Sequence, residues 1–122
     1  MDKRSRREML EDRLIDFAIA VNVLIEKLPG TYLGQNLANQ ISRSSTSPAL
    51  NYGEAQSAES TRDFIHKMKI GLKELRETSI GIKIFDRANM LENKEEIRKL
   101  KDEANELISI YVASINTAKK RL

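Results

Sequence analysis

Cysteine is absent from the 122 residues, which excludes disulfides, thiol chemistry and Cys-ligated zinc or iron–sulfur sites. Tryptophan is absent too, and Phe and Tyr together make 5% of the chain. A core must therefore be aliphatic, and no basic stretch is interleaved with the aromatics that stack single-stranded bases. Five glycines and two prolines leave few turns and no glycine-rich loop to cradle a phosphate. A single histidine, His66, falls short of a di-metal carboxylate bundle, which takes a Glu-x-x-His from each of two helices. No metal or other cofactor is expected. No apolar run approaches a membrane span, and the charged start MDKRSRREMLEDR has no signal-peptide core behind it. The expectation is a cytoplasmic protein with no membrane partner.

What is present is helix-forming. Charged residues make 32% and apolar residues 40% of the chain, with Leu, Ile, Lys and Glu prominent. Apolar positions recur in steps of three and four, the signature of helices with one buried face. Leu10, Leu14, Phe17, Val21, Leu24, Ile25 and Leu28 form such a stripe, stopped by Pro29-Gly30. Phe64, Ile65, Met68, Leu72, Leu75, Ser79 and Ile82 form another, started by Ser60 with Asp63 in capping-box positions. Ile97, Leu100, Ala104, Leu107, Ile108, Tyr111, Ile115 and Ala118 form a third, behind Asn93.

The segment from Leu33 to Gln56 is less regular. Its middle, SRSSTSPAL, is poor in large apolar groups, and Ser and Thr compete for backbone hydrogen bonds. Pro48 removes an amide donor. The alternatives are a break or a helix kinked near Pro48; the small side chains, which let a neighbour approach closely, favour the kink. The expected architecture is all-α: one domain over 1–122, an up-down-up-down four-helix bundle with helices near 7–28, 33–56, 61–88 and 94–120. Surplus apolar positions such as Ala18, Ala20, Val23, Ile80 and Ile110 predict self-association into a homo-oligomer.

Antiparallel pairing about the turn near Glu59–Ser60 sets Glu54 level with His66 and Arg43 level with Glu77. Together with Asn51, these residues read either as a polar site between helices two and three or as inter-helix pairs fixing register. The same topology gathers Lys3, Arg4, Arg6, Arg7, Lys119, Lys120 and Arg121 at one pole, with Arg62 and Lys67 near them, diluted by Glu8, Glu59 and Asp63. Such a pole holds RNA or DNA phosphates non-specifically, or else is a set of solvated termini. The net charge of +3 permits either. Arg62 and His66 are similar to the arginine–histidine motif of HEPN ribonucleases, but three residues separate them, fewer than that motif has. No catalytic constellation is found, and an enzyme is not expected.

The segments Arg43-Ser44, Thr46-Ser47, Asn51, Glu54-Ala55-Gln56, Asp63-Phe64-Ile65-His66-Lys67, Leu72-Lys73-Glu74 and Arg76-Glu77-Thr78 resemble the four helix bundle protein family, also called the 23S rRNA intervening-sequence protein or S23 family. Pro48 fits the many members with proline at this point of the second helix. The chain lacks the Trp often found near the start of the first helix, and Ile80-Gly81 replaces a common aromatic pair. The resemblance implies a small bacterial cytoplasmic bundle that assembles as a homopentamer, with no assigned catalytic residues and, in a similar bundle, engagement of nucleic acid. The function expected from all this is a non-catalytic oligomeric scaffold binding RNA or other nucleic acid through its basic pole. A protein-interaction module without a nucleic-acid role is the alternative, and a HEPN-like ribonuclease a distant third.

Overall fold

The computed structural model describes residues 5–122. It contains four helices, α1 (Arg6–Ile25), α2 (Tyr32–Gln56), α3 (Thr61–Arg87) and α4 (Lys94–Lys119), and no strand among the described residues. Each start is fixed by a side-chain cap, of which the sequence announces those at Ser60 and Asn93. Ser5, Thr31, Ser60 and Asn93 accept the amides of Glu8, Gly34, Asp63 and Glu96. At α3 Asp63 also accepts the amide of Glu59, the residue before the cap, at 3.4 Å. The end of α3 is closed by Asn89 in the left-handed conformation, φ 57°. There the amides of Met90 and Asn89 bond back to the carbonyls of Phe85 and Asp86, a Schellman closure.

Neighbours in sequence pack against each other, and α1 closes the ring against α4. The core is one cluster running the length of the bundle, from Leu14, Phe17, Val21 and Leu24 on α1 to Leu107, Tyr111 and Ile115 on α4. The stripes read from the sequence are its main components. Their outer members Leu10, Ile25, Leu28, Phe64 and Ile108 are only partly buried.

Helix α2 passes through Pro48 as one uninterrupted helix, so the break is ruled out; the expected kink is not confirmed. Pro48 is buried, and its carbonyl accepts the Tyr111 hydroxyl at 3.2 Å, tying α4 to α2 across the core. The small polar residues before it join the helices. The Ser42 hydroxyl donates to Asn22 Oδ1 at 2.6 Å, and Asn22 Nδ2 donates to Ser45 Oγ at 3.0 Å, linking α2 to α1. Ser44 Oγ lies 2.8 Å from Thr78 Oγ1 in the interface with α3. Each hydroxyl also has a carbonyl of its own helix in reach, Glu74 at 3.0 Å for Thr78 and Ile41 at 3.5 Å for Ser44, so either one can donate across the interface. No helix among the described residues is long and apolar enough to cross a membrane.

Candidate nucleic-acid interface

At one end of the bundle the first turns of α1 and α3 meet the last turns of α2 and α4. The α1–α4 pair is the least closely packed seam of the ring, and it opens toward this pole into a groove of about 550 Å³. On α1 the core-facing spacing continues into it, while on α4 the groove takes mainly the positions beside the core stripe. On α1, Arg6, Leu10 and Arg13 precede Phe17 at steps of four, three and four; on α4, Ile110, Ser114, Thr117 and Arg121 recur at the same steps. Tyr52 of α2 and Phe64 of α3 reach it from below.

Among the described residues, the guanidinium groups of Arg6, Arg7, Arg13 and Arg121 line this groove and no carboxylate does. Arg13 is committed within the fold. Its Nε and Nη2 donate to the two carboxylate oxygens of Glu103 at 3.1 and 2.5 Å, with Glu106 at 3.6 Å. This fork clamps α1 to α4 at the inner end of the groove, and the bond to Glu103 raises the Arg13 pKa further. Arg6, Arg7 and Arg121 are exposed and make no hydrogen bond or ion pair with another described residue.

The other predicted basic residues divide. Lys119 and Lys120 are exposed on the last turn of α4 and its cap, and Arg62 is exposed on the first turn of α3. Lys67 is half-buried further along α3, and none of these four lines the groove. Lys3 and Arg4 lie outside the described residues.

The predicted inter-helix pairs do not form. Arg43, Glu54, His66 and Glu77 are all exposed; no contact joins Glu54 to His66, and no ion pair joins Arg43 to Glu77. Asn51 bonds within its own helix, donating to Ser47 Oγ at 2.9 Å. The reason is geometric. Counting back from a turn gives the level of a residue along a helix but not its direction, and each residue rotates the side chain by about 100°. The register polar groups are instead Asn22, Ser42, Ser44, Ser45 and Thr78. Arg62 and His66 are likewise exposed and line no common cleft. Among the described residues, no group of His, Asp and Glu is placed to hold a metal ion.

Sequence reasoning missed Arg13 and Tyr52. For Arg13 the signal was available in the stripe spacing from Arg6 through Phe17. Tyr52 was hidden by the irregular serine-rich run before it.

A family model described as 23S rRNA-intervening sequence protein matches residues 11–113. No curated protein matches the chain. Among solved structures, the chain is similar to a crystal structure from Bacteroides thetaiotaomicron VPI-5482, described as a protein with unknown function from the S23 ribosomal protein family. The two are 26% identical with a TM-score of 0.79, over 92% of this chain and 99% of that one.

Proposed function

We infer, from the premise that this chain belongs to the 23S rRNA-intervening sequence protein family, that it is a non-catalytic, self-associating scaffold that holds RNA by its phosphates at the basic pole. The observation that carries this reading is the convergence of Arg6, Arg7 and Arg121, from the two ends of the described chain, on one groove that no acidic side chain among the described residues lines. Cations in the first turn of α1 oppose the helix dipole and cost the helix a few tenths of a kcal/mol to about 1 kcal/mol. Helix stability therefore does not account for Arg6 and Arg7, whereas an anionic ligand does. Lys119, Lys120 and Arg62 are exposed on the end of α4 and the first turn of α3 and add positive charge to the same pole. In the five-copy ring implied by the family resemblance, each copy would present such a pole, and repetition would raise a weak phosphate affinity through avidity.

The test is RNA binding measured at two salt concentrations, about 50 and 200 mM, for the native chain and for R6Q/R7Q/K119Q/K120Q/R121Q. The expected result is binding that weakens steeply with salt in the native chain, and both a loss of affinity and a shallower salt slope in the variant. Binding unaffected by the substitutions, or no binding by the native chain, overturns this reading. The protein-interaction module would then stand, favoured by the exposed apolar stripe Ile15, Ile19 and Val23 on α1.

A further inference from the structure

The groove at the basic pole has two properties that phosphate-backbone binding leaves unused. One is its apolar interior. Met9 and Leu10 on one wall, Ile110 and Ala113 on the other and Phe64 below give it a predominantly apolar surface beside the arginines. Its volume of about 550 Å³ falls in the range of small-molecule sites, roughly 300–1,000 Å³, and an RNA backbone has no apolar group to place there.

The other property is Tyr52. The residue is 6% exposed and lines the groove, yet its hydroxyl makes no hydrogen bond with any described residue. Tyr111, its neighbour at a ring-centroid distance of 6.3 Å, satisfies its own hydroxyl on the Pro48 carbonyl. No buried side-chain oxygen or nitrogen among the described residues lacks a partner. The Tyr52 oxygen must therefore reach open space, and the open space that Tyr52 borders is the groove. Burial raises the Tyr52 pKa, with Arg7 lowering it and Glu11 raising it by smaller amounts. The hydroxyl thus stays protonated at neutral pH, a donor with both Arg7 and Glu11 in electrostatic range.

We propose that this groove is a binding site for a small anionic amphiphile, a single apolar chain ending in a carboxylate or a phosphate monoester. The head group accepts a hydrogen bond from the Tyr52 hydroxyl and is neutralised by the unpaired guanidinium groups of Arg7 and Arg121. The chain lies along Leu10, Ile110, Ala113 and Phe64. The wall formed by α4 from Ile110 to Arg121 is about 16 Å long at 1.5 Å per residue, and the Arg13–Glu103 fork closes its inner end. A neutral amphiphile leaves the arginines unmatched, a cationic one is repelled, and a short anion leaves the apolar walls wet.

The site shares Arg7 and Arg121 with the RNA reading but adds Tyr52 and the apolar walls, and substitutions at those added positions let the two fail separately. Calorimetric titration with dodecanoate and with dodecyl phosphate, both below micelle formation, is expected to give saturable binding of one molecule per chain. The tighter of the two identifies the head group. Tyr52→Phe removes only the unpaired hydroxyl, so it should weaken binding about tenfold while leaving thermal stability and RNA affinity unchanged. Ala113→Trp adds bulk at an exposed position on the groove wall and should abolish amphiphile binding with circular dichroism unaltered. The proposal is overturned if dodecanol or dodecyltrimethylammonium binds as tightly as dodecanoate. It is equally overturned if Tyr52→Phe binds like the native chain, or if no saturable binding occurs.

Discussion

A single methyl group is enough to test how tightly α2 and α3 approach. A Cβ added at Gly81 would sit 2.5 Å from Ile41 Cγ1, inside the buried interface, whereas one added at Gly53 would meet nothing within 4 Å. Both glycines lie inside helices, where alanine is intrinsically favoured by about 1 kcal/mol. Gly53→Ala should therefore gain roughly 0.5–1 kcal/mol, while Gly81→Ala should lose stability overall because overpacking costs about 1–3 kcal/mol. Thermal melts decide it; a higher midpoint for Gly81→Ala would mean that Ile41 moves aside freely. The sequence does not distinguish the two glycines, since each interrupts a helical pattern. What separates them is which direction the missing side chain would take, and this depends on the partner helix. The Ser44–Thr78 pair makes the same point. Serine and threonine read as weak helix formers, and their value here, a hydrogen bond across an interface too close for large groups, exists only once the two helices meet.

Helices and their ends are where the sequence speaks most directly. Capping residues, stripe spacing and the Pro29-Gly30 stop all act over a few neighbouring residues, so they survive the absence of tertiary information. Polar pairing between helices does not, as Glu54 and His66 show. The α3–α4 connection adds an electrostatic clasp that spacing did not reveal. Asp86 near the end of α3 accepts Lys94 Nζ at 3.1 Å and Lys101 Nζ at 3.3 Å, so α4 is tied back onto α3 immediately after the Asn89 turn. Hydrogen bonds from Lys94, then Lys101, hold the Asp86 carboxyl below its ordinary pKa. A carboxyl depressed in the folded state contributes stability above its unfolded value, about 4, and loses it as pH falls through the lower folded value. Glu95, depressed by Arg98, acts in the same sense. Asp86→Asn should therefore lower the melting midpoint slightly at pH 7 and converge on the native midpoint in acid. A gap that stays constant from pH 7 to pH 2 would show that the clasp contributes through packing alone.

For the molecule as a whole, the feature that points beyond the single chain lies on its outside. Helix α1 buries Leu14, Phe17, Val21 and Leu24, yet on its other side Ile15, Ile19 and Val23, four residues apart, remain 43%, 59% and 47% exposed. An exposed apolar stripe of this kind marks an interaction surface, and we propose that the chain self-associates through it. Ile19→Glu should shift the native assembly to monomer in sedimentation at micromolar concentration without loss of helicity, because the position is exposed in the single chain. A native chain that sediments only as monomer would refute self-association. The bundle's construction has one more practical result. With no tryptophan in the chain, its near-ultraviolet emission comes from three tyrosines, and two of these, Tyr52 and Tyr111, are neighbours at the groove end of the core. The protein thus carries its own optical probe beneath the proposed site, so events there can be followed without any attached label.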